Sequence, residues 1–106
     1  MKNKFVQIQT TVANKKDAEK IAKVLSQRKL SACTQIIGPV TSIYRWKGKL
    51  ENSKEFLILI KTKLNLYKKV EKVIKENHPY ELPEIIVTPI IAGSKEYLNW
   101  LNKEIK

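Results

Sequence analysis

Two long segments with a strand pattern in the middle of the chain place the strongest constraint on its fold. Residues 32–47 have the pattern of one strand of roughly sixteen residues, whereas strands in globular proteins usually have about five or six. Gly38-Pro39 interrupts this strand, and because proline cannot donate to a strand ladder, the pair predicts a bulge or a bend. Residues 47–49 are typical of a turn. The return strand, which ends near Thr62, contains the unbroken apolar run 56–60, which indicates burial on both faces.

The segments on either side of this hairpin have alternating strand and helix patterns. Residues 5–12 alternate as a half-buried strand does, and residues 84–91 predict a fourth strand. Asn14 is a candidate cap for a first helix, residues 64–77 have the period of a second, and Ser94 precedes a third. The order β-α-β-β-α-β with an added C-terminal helix is the split βαβ arrangement. It predicts an α+β fold with a four-stranded antiparallel sheet, a long central hairpin and two helices on one face.

The predicted hairpin is longer than the strand that must pair with it. The surplus, residues 44–50, would project as a bare ribbon with unpaired backbone groups, and such edges invite uncontrolled pairing. A closed ring of subunits that share their sheet edges would cover them, so we expect an oligomer. The alternative is a ribbon that folds back over its own sheet at Gly38-Pro39.

Length and charge limit the classes of protein to consider. A chain of 106 residues fits one domain, 1–106. Its net charge of +11 comes mainly from lysine, since Arg28 and Arg45 are the only arginines. This charge predicts non-specific attraction to nucleic acid at most, because lysines also simply fill solvated faces. The lone Cys33 cannot close an intrachain disulfide, and neither an apolar leader nor a membrane-spanning segment is present, so we expect a cytoplasmic protein without a membrane partner.

The inventory of reactive side chains favours a binding protein over an enzyme, with no obligatory cofactor. His78 is the only histidine, and no pattern typical of a nucleophile elbow or a phosphate-binding loop occurs. His78 lies in a proline-rich loop with Glu81 and Glu84, and these three residues are the candidate ligands of a divalent cation. The alternative for His78 is a histidine held by hydrogen bonds beside a rigid proline turn.

The aromatic residues predict either a ligand cleft or a subunit interface, and the sequence leaves both open. The candidates are Tyr44, Trp46, Tyr80 and Trp100, with Lys61 and Glu84 as polar groups beside them. Residues 44–47 also mix aromatic and basic side chains as single-stranded nucleic-acid platforms do, although the RNA-recognition signature is missing.

Several segments taken together resemble one known family. They are Ser31-Ala32-Cys33, residues 41–49, Lys61-Thr62, residues 78–85 and residues 97–101. In order and spacing they are similar to the CutA divalent-cation-tolerance family, and the likeness covers nearly the whole chain. The resemblance implies a ferredoxin-like protomer in a homotrimer whose sheets meet edge to edge. It also implies an architecture like that of the PII signalling proteins, whose ligands bind between subunits.

Only some of the metal ligands known in the family are present in this sequence. Some members have a cysteine near the end of the first strand and two histidines before Pro-Tyr; here Thr10 and Asn77 stand at two of these positions, and His78 alone remains. We therefore expect weak binding of Cu²⁺ or a similar divalent cation through His78, helped by Glu81 or Glu84. The alternatives are a PII-like module that binds a small anionic ligand through Lys61 and the aromatic lining, and a non-specific polyanion binder.

Overall fold

The computed structural model describes residues 4–105 and contains four strands and three α-helices over that range. In chain order they are β1 (Phe5–Val12), α1 (Lys15–Gln27), β2 (Cys33–Trp46), β3 (Lys49–Lys63), α2 (Tyr67–Asn77), β4 (Ile86–Pro89) and α3 (Lys95–Glu104). A short 3-10 turn, Leu64–Leu66, leads into α2. The ends of the predicted domain 1–106 lie outside the described residues.

All four strands form one antiparallel sheet with the order β2-β3-β1-β4. Both halves of the split βαβ arrangement are therefore present, and the predicted α+β fold is confirmed. β4 is shorter than the predicted strand 84–91, because its pairing with β1 covers only residues 6–9 of that strand. No helix within residues 4–105 is long and apolar enough to cross a membrane.

The core lies between one face of the sheet and the helices. Alternation along β1 turns Val6, Ile8 and Val12 to this face, and all three are buried. The apolar stripes of the helices complete the cluster: Ala18, Ile21 and Leu25 from α1; Val70, Val73 and Ile74 from α2; Leu101 from α3. The predicted cap of α1 is confirmed, since the amide of Asp17 donates to the Asn14 side chain over 2.8 Å.

The predicted irregularity of the long strand is confirmed as a shift in register. Ile37 pairs with Leu57, whereas the next paired residue, Val40, faces Glu55, so Gly38-Pro39 forms a bulge. A Cβ atom on Gly38 would lie 2.5 Å from Cδ2 of Phe56, so only glycine allows this close approach of the strand to the ring. At the far end, residues 47 and 48 form a two-residue turn in which both φ angles are positive.

The hairpin projects beyond the rest of the sheet, as predicted. β1 pairs with residues 56–63 of β3, whereas residues 49–55 have only β2 beside them. Two large apolar side chains of this projecting ribbon, Ile43 and Leu50, are 66% and 70% exposed. On one side the sheet therefore extends into a two-stranded ribbon whose apolar residues are in contact with solvent.

The apolar run 56–60 is not fully buried on both faces within one chain, although its composition indicates that it should be. Ile58 and Ile60 face the helices and are fully buried, whereas Leu57 and Leu59 on the opposite face are only half-buried. The neighbour of Leu57 on β2, Ile37, is 46% exposed. One face of the sheet therefore packs on the helices, and the other presents apolar side chains that the chain itself leaves partly open.

Candidate functional site

A loop between α2 and β4 approaches the end of β1 and the middle of β3 and forms one wall of the candidate site. α2 ends at Asn77, because Pro79 disfavours a helical conformation in the residue before it; His78 accordingly is extended, with φ −96° and ψ 132°. The loop then runs through Tyr80 and a second proline, Pro83, to Ile86, where β4 begins.

Two hydrogen bonds hold the imidazole of His78 in place. Its Nε2 lies 2.7 Å from the backbone carbonyl of Thr11, and the backbone amide of Tyr80 donates to Nδ1 over 3.1 Å. Since Nδ1 accepts, the proton is on Nε2, which donates to the carbonyl. The imidazole also packs against the Tyr80 ring, with 4.8 Å between the ring centroids. His78 thus ties the loop to the end of β1, and both of its nitrogens are occupied within the chain.

A buried carboxylate lies beneath this loop. Glu55 of β3 is only 6% exposed, and the Tyr80 hydroxyl donates to its Oε2 over 2.8 Å. Burial, followed by this hydrogen bond to Glu55, raises the pKa of the Tyr80 hydroxyl above its ordinary value of 10.0. Tyr80 therefore keeps its proton and acts as the donor that satisfies the carboxylate.

The loop and the base of the ribbon form the two walls of an open groove of about 1000 Å³. Its walls are residues 42–46 of β2 and residues 79–84 of the loop, and Thr11 and Glu55 complete the lining. The groove therefore joins the aromatic rings of Tyr44, Trp46 and Tyr80 to carboxylates from β3 and from the loop.

The structure brings together four of the predicted cleft residues and separates the other two. Tyr44, Trp46, Tyr80 and Glu84 all line the groove, and so does Glu81, one of the predicted helpers of the metal ligand. Glu84 also accepts a hydrogen bond of 2.8 Å from Gln9.

Lys61 and Trp100 lie away from the groove within one chain. Lys61 of β3 donates from Nζ to the side chain of Gln35 on β2. Trp100 of α3 is 41% exposed and packs against Tyr97, with 5.6 Å between their ring centroids. Any role that these two share with the groove residues would need a second subunit.

Sequence reasoning missed Glu55, the most buried carboxylate of the groove. A signal was present: Glu55 directly precedes the apolar run 56–60, where a charged side chain must find a partner on folding. Its partner, Tyr80, is 25 residues further along the chain, so the pattern around Glu55 alone could not identify it.

Other ligand positions expected from the family resemblance are unsuited to hold a metal here. Thr10 is 0% exposed in the core, and its hydroxyl has no hydrogen-bond partner in the described part of the chain. The side chain of Asn77 donates to the backbone carbonyl of Val73 over 2.8 Å and so closes the last turn of α2. Among residues 4–105, no three His, Cys, Asp or Glu side chains lie close enough to hold one metal ion.

Comparison with known proteins assigns the chain to a family. The family model for the CutA1 divalent ion tolerance protein matches residues 6–104, which is nearly the whole chain. The chain belongs to this family. A CutA relative from Thermus thermophilus, named as a divalent-cation tolerance protein, is 42% identical over 93 residues, which is 88% of this chain and 90% of the relative. The chloroplastic CutA protein from Arabidopsis thaliana is 36% identical over 93% of this chain but only 54% of the relative.

The solved CutA structures confirm the fold. The divalent cation tolerance protein from Thermus thermophilus superposes with a TM-score of 0.93 at 38% sequence identity, and the match covers 96% of this chain and 99% of that one. The CutA likeness seen in the sequence is therefore confirmed, and with it the ferredoxin-like arrangement of strands and helices.

Proposed function

We propose that this chain acts in the tolerance of divalent cations, Cu²⁺ among them, as a binding protein rather than an enzyme. The observation that carries the proposal is the family match over residues 6–104, together with relatives that are named for this tolerance. Within the chain, His78 is the proposed ligand, and either Glu81 or Glu84 is the proposed helper. Imidazole and carboxylate groups suit Cu²⁺ and Zn²⁺.

The surroundings of His78 support weak, exchangeable binding. A metal ion at Nδ1 would displace the hydrogen bond from the Tyr80 amide, and one at Nε2 would displace the bond to the Thr11 carbonyl. Each lost hydrogen bond costs about 1 kcal/mol net, and the abandoned backbone group must also be solvated. Glu81 and Glu84 are exposed, so they add little to the affinity by themselves.

We further propose that the working form is a homotrimer. β2 is a strand of 14 residues at the edge of the sheet, and a long exposed edge of this kind is normally paired or covered. The exposed Ile43 and Leu50 of the ribbon and the half-buried Leu57 and Leu59 support contact with further copies. A closed ring of three would pair these edges without leaving a free end.

Titration of tag-free protein with Cu²⁺ and Zn²⁺ by calorimetry tests the metal site. His78→Ala is expected to abolish saturable binding, and Glu81→Gln is expected to weaken it. Glu96→Gln, an exposed carboxylate on α3, is the matched control for loss of one charge and should bind as the parent does. Equal heats for the parent and His78→Ala would exclude His78 as the ligand. Light scattering tests the assembly separately, and a mass of 12.3 kDa would exclude the trimer.

One further candidate has an observation in its favour. The lysines that face outward from α1 and α2 share one layer of the protein, because the two helices pack against each other. They are Lys15, Lys16, Lys20, Lys23, Lys68, Lys69, Lys72 and Lys75. Non-specific attraction to a polyanion would act through this layer, and gel shifts that persist undiminished above physiological salt would contradict it. For a small anionic ligand, by contrast, the groove offers carboxylates, and Lys61 lies outside it.

A further inference from the structure

The outward faces of the two packed helices each carry a row of lysines. In an α-helix, residues four and seven positions apart share one face. On α1 the face opposite the buried Ala18, Ile21 and Leu25 holds three exposed lysines, and on α2 the face opposite the buried Val70 and Ile74 holds three more. These lysine rows are Lys16, Lys20 and Lys23 on α1, and Lys68, Lys72 and Lys75 on α2.

The acidic residues of the two helices lie beside the lysine rows and not within them. Asp17 and Glu71 are half-buried, and Glu19 and Glu76 are exposed at the sides of their helices. Within residues 4–105, one row lysine has an ion-pair partner: Lys75 lies 3.4 Å from Glu71. The described residues therefore leave five of the six row charges for a partner.

The proposed trimer would leave the lysine rows uncovered. Its contacts would use the edge strand β2, the ribbon and the sheet face that carries Leu57 and Leu59. The helices pack on the opposite face of the sheet, against Ile58 and Ile60. Because the lysine rows point away from the sheet on the helix side, assembly through the other face does not bury them.

The charge density of the lysine rows matches that of a nucleic-acid duplex. The first and last lysine of each row are seven residues apart, or about 10 Å along the helix axis. The two helices pack side by side, and the axes of packed helices are about 8–10 Å apart, so six positive charges share one patch. Duplex DNA carries a negative charge about every 1.7 Å of its axis, hence about six in 10 Å. A single strand carries about half as many over that length.

The residue types of the rows favour contact with phosphates over contact with bases or lipid. Lysine is a point charge and lacks the planar fork with which arginine reads guanine. The rows contain no aromatic side chain on which an unpaired base could stack. Helices that lie in a membrane surface insert their apolar side chains, whereas those of α1 and α2 are in the core.

We propose that the lysine rows bind the phosphate backbone of double-stranded DNA without sequence preference. This inference rests on the polyanion attraction proposed for the lysines of α1 and α2, and it assigns that attraction a partner and a surface. It is independent of the metal-binding role of His78.

Fluorescence anisotropy of a short labelled DNA duplex of mixed sequence tests the proposal. EDTA is present throughout, so that metal ions do not contribute. Each phosphate contact releases about 0.9 of a counterion, so six contacts predict a slope of about −5 for the logarithm of the association constant against the logarithm of the salt concentration. We expect saturable binding with this slope, and equal binding of a second duplex of different sequence.

Three double variants locate the surface. Lys20→Gln/Lys72→Gln removes the middle charge of each row, and it should reduce the slope by about two and weaken binding at least about tenfold at 0.1 M salt. The matched control Lys95→Gln/Lys103→Gln removes the same charge from exposed positions on α3 and should bind nearly as the parent does. Lys20→Arg/Lys72→Arg keeps the charge and should also bind as the parent does, which separates loss of charge from damage to the helices.

Four results would overturn the proposal. Absence of duplex binding at about 50 mM salt would refute the polyanion attraction as well. Equal losses in the row and α3 variants would leave the polyanion attraction standing but exclude the rows as its surface. Tighter binding of a single strand of the same length would contradict the match in charge density. Row-dependent binding to phosphatidylserine vesicles that the duplex does not displace would assign the rows to a membrane surface.

Discussion

The Tyr80 hydroxyl donates a 2.8 Å hydrogen bond to Oε2 of Glu55, and this bond joins the loop after α2 to the strand at the base of the hairpin. The carboxylate is 6% exposed, so its charge depends on this donor for solvation within the protein. On the same loop, His78 makes the second attachment through the Thr11 carbonyl. The wall of the groove is thus fixed at two neighbouring residues, which links the shape of the candidate site to the stability of the fold.

Removal of the Tyr80 hydroxyl should destabilise the protein. Tyr80→Phe keeps the ring but leaves the buried Glu55 without its donor, so the free energy of unfolding is expected to fall by about 1.5–3 kcal/mol. Urea denaturation at fixed protein concentration measures this fall in the free energy of unfolding. Tyr97→Phe, which removes a hydroxyl from a ring that is 40% exposed on α3, is the control and should stay within about 0.5 kcal/mol of the parent. Equal effects of the two substitutions would show that the bond to Glu55 contributes nothing.

Stability should decline in alkaline solution, in part through Tyr80. Burial, followed by the bond to Glu55, raises the folded-state pKa of Tyr80 above the ordinary 10.0, so the unfolded chain loses this proton first. The contribution is fully present below about pH 10 and is lost as the pH rises from there toward the raised pKa. Burial also raises the pKa values of Tyr67 and Tyr97, so Tyr80→Phe should reduce the alkaline slope without abolishing it. Denaturation curves between about pH 8 and pH 11 provide the slope, and an unchanged slope in the variant would refute the assignment.

Two buried threonines should respond in opposite directions to the same substitution. The hydroxyl of Thr10 has no partner among the described residues, whereas the hydroxyl of Thr62 donates to the Leu30 carbonyl over 2.7 Å, and both residues are 0% exposed. Thr10→Val removes an unsatisfied polar atom and should raise the free energy of unfolding by about 1 kcal/mol. Thr62→Val leaves the Leu30 carbonyl without its donor and should lower the free energy of unfolding by about 1–3 kcal/mol. Thermal and urea unfolding of the pair measures both, and a change of the same sign in each would contradict the hydrogen-bond argument.

A side chain at Gly38 should strain the bulge of the long strand. The new Cβ of Gly38→Ala would meet the Phe56 ring at 2.5 Å, so we expect a loss of about 1–3 kcal/mol in the free energy of unfolding, measured by urea denaturation. Phe56→Leu in the same chain should recover part of that loss. Gly93→Ala is the control, because its nearest contact is the flexible end of Leu98 at 3.2 Å, and it should cost less. If Gly38→Ala proved as stable as the parent, the strand would have to move away from the ring freely.

The predictable part of the fold came from local patterns. Alternation in residues 5–12, the cap at Asn14, the interruption at Gly38-Pro39 and the turn at Gly48 all have direct counterparts in the structure. Each depends on residues close together in the chain, where backbone sterics and side-chain period act without help from distant contacts. The run 56–60 was less informative, because an apolar composition indicates that burial is needed but does not identify what covers the second face.

The candidate site, too, was predictable only as far as local sequence reaches. Its aromatic and acidic residues near His78 could be listed from the sequence, and four of the six predicted cleft residues do line one groove. Lys61 and Trp100 could not be separated from them, since strand register and helix packing decide those positions. Glu55 could not be included, because its role depends on a tyrosine 25 residues away.

Short-range pattern and residue type were enough to predict the order of strands and helices, the long hairpin, the family and the set of side chains available for chemistry. How those side chains are used depends on tertiary contacts. The fold occupies both nitrogens of His78 with backbone groups, places Thr10 in the core, and pairs the buried Glu55 with the hydroxyl of Tyr80. The physical reason is that hydrogen-bond partners and burial are settled by contacts between segments far apart in the chain, and local sequence does not encode which segments meet.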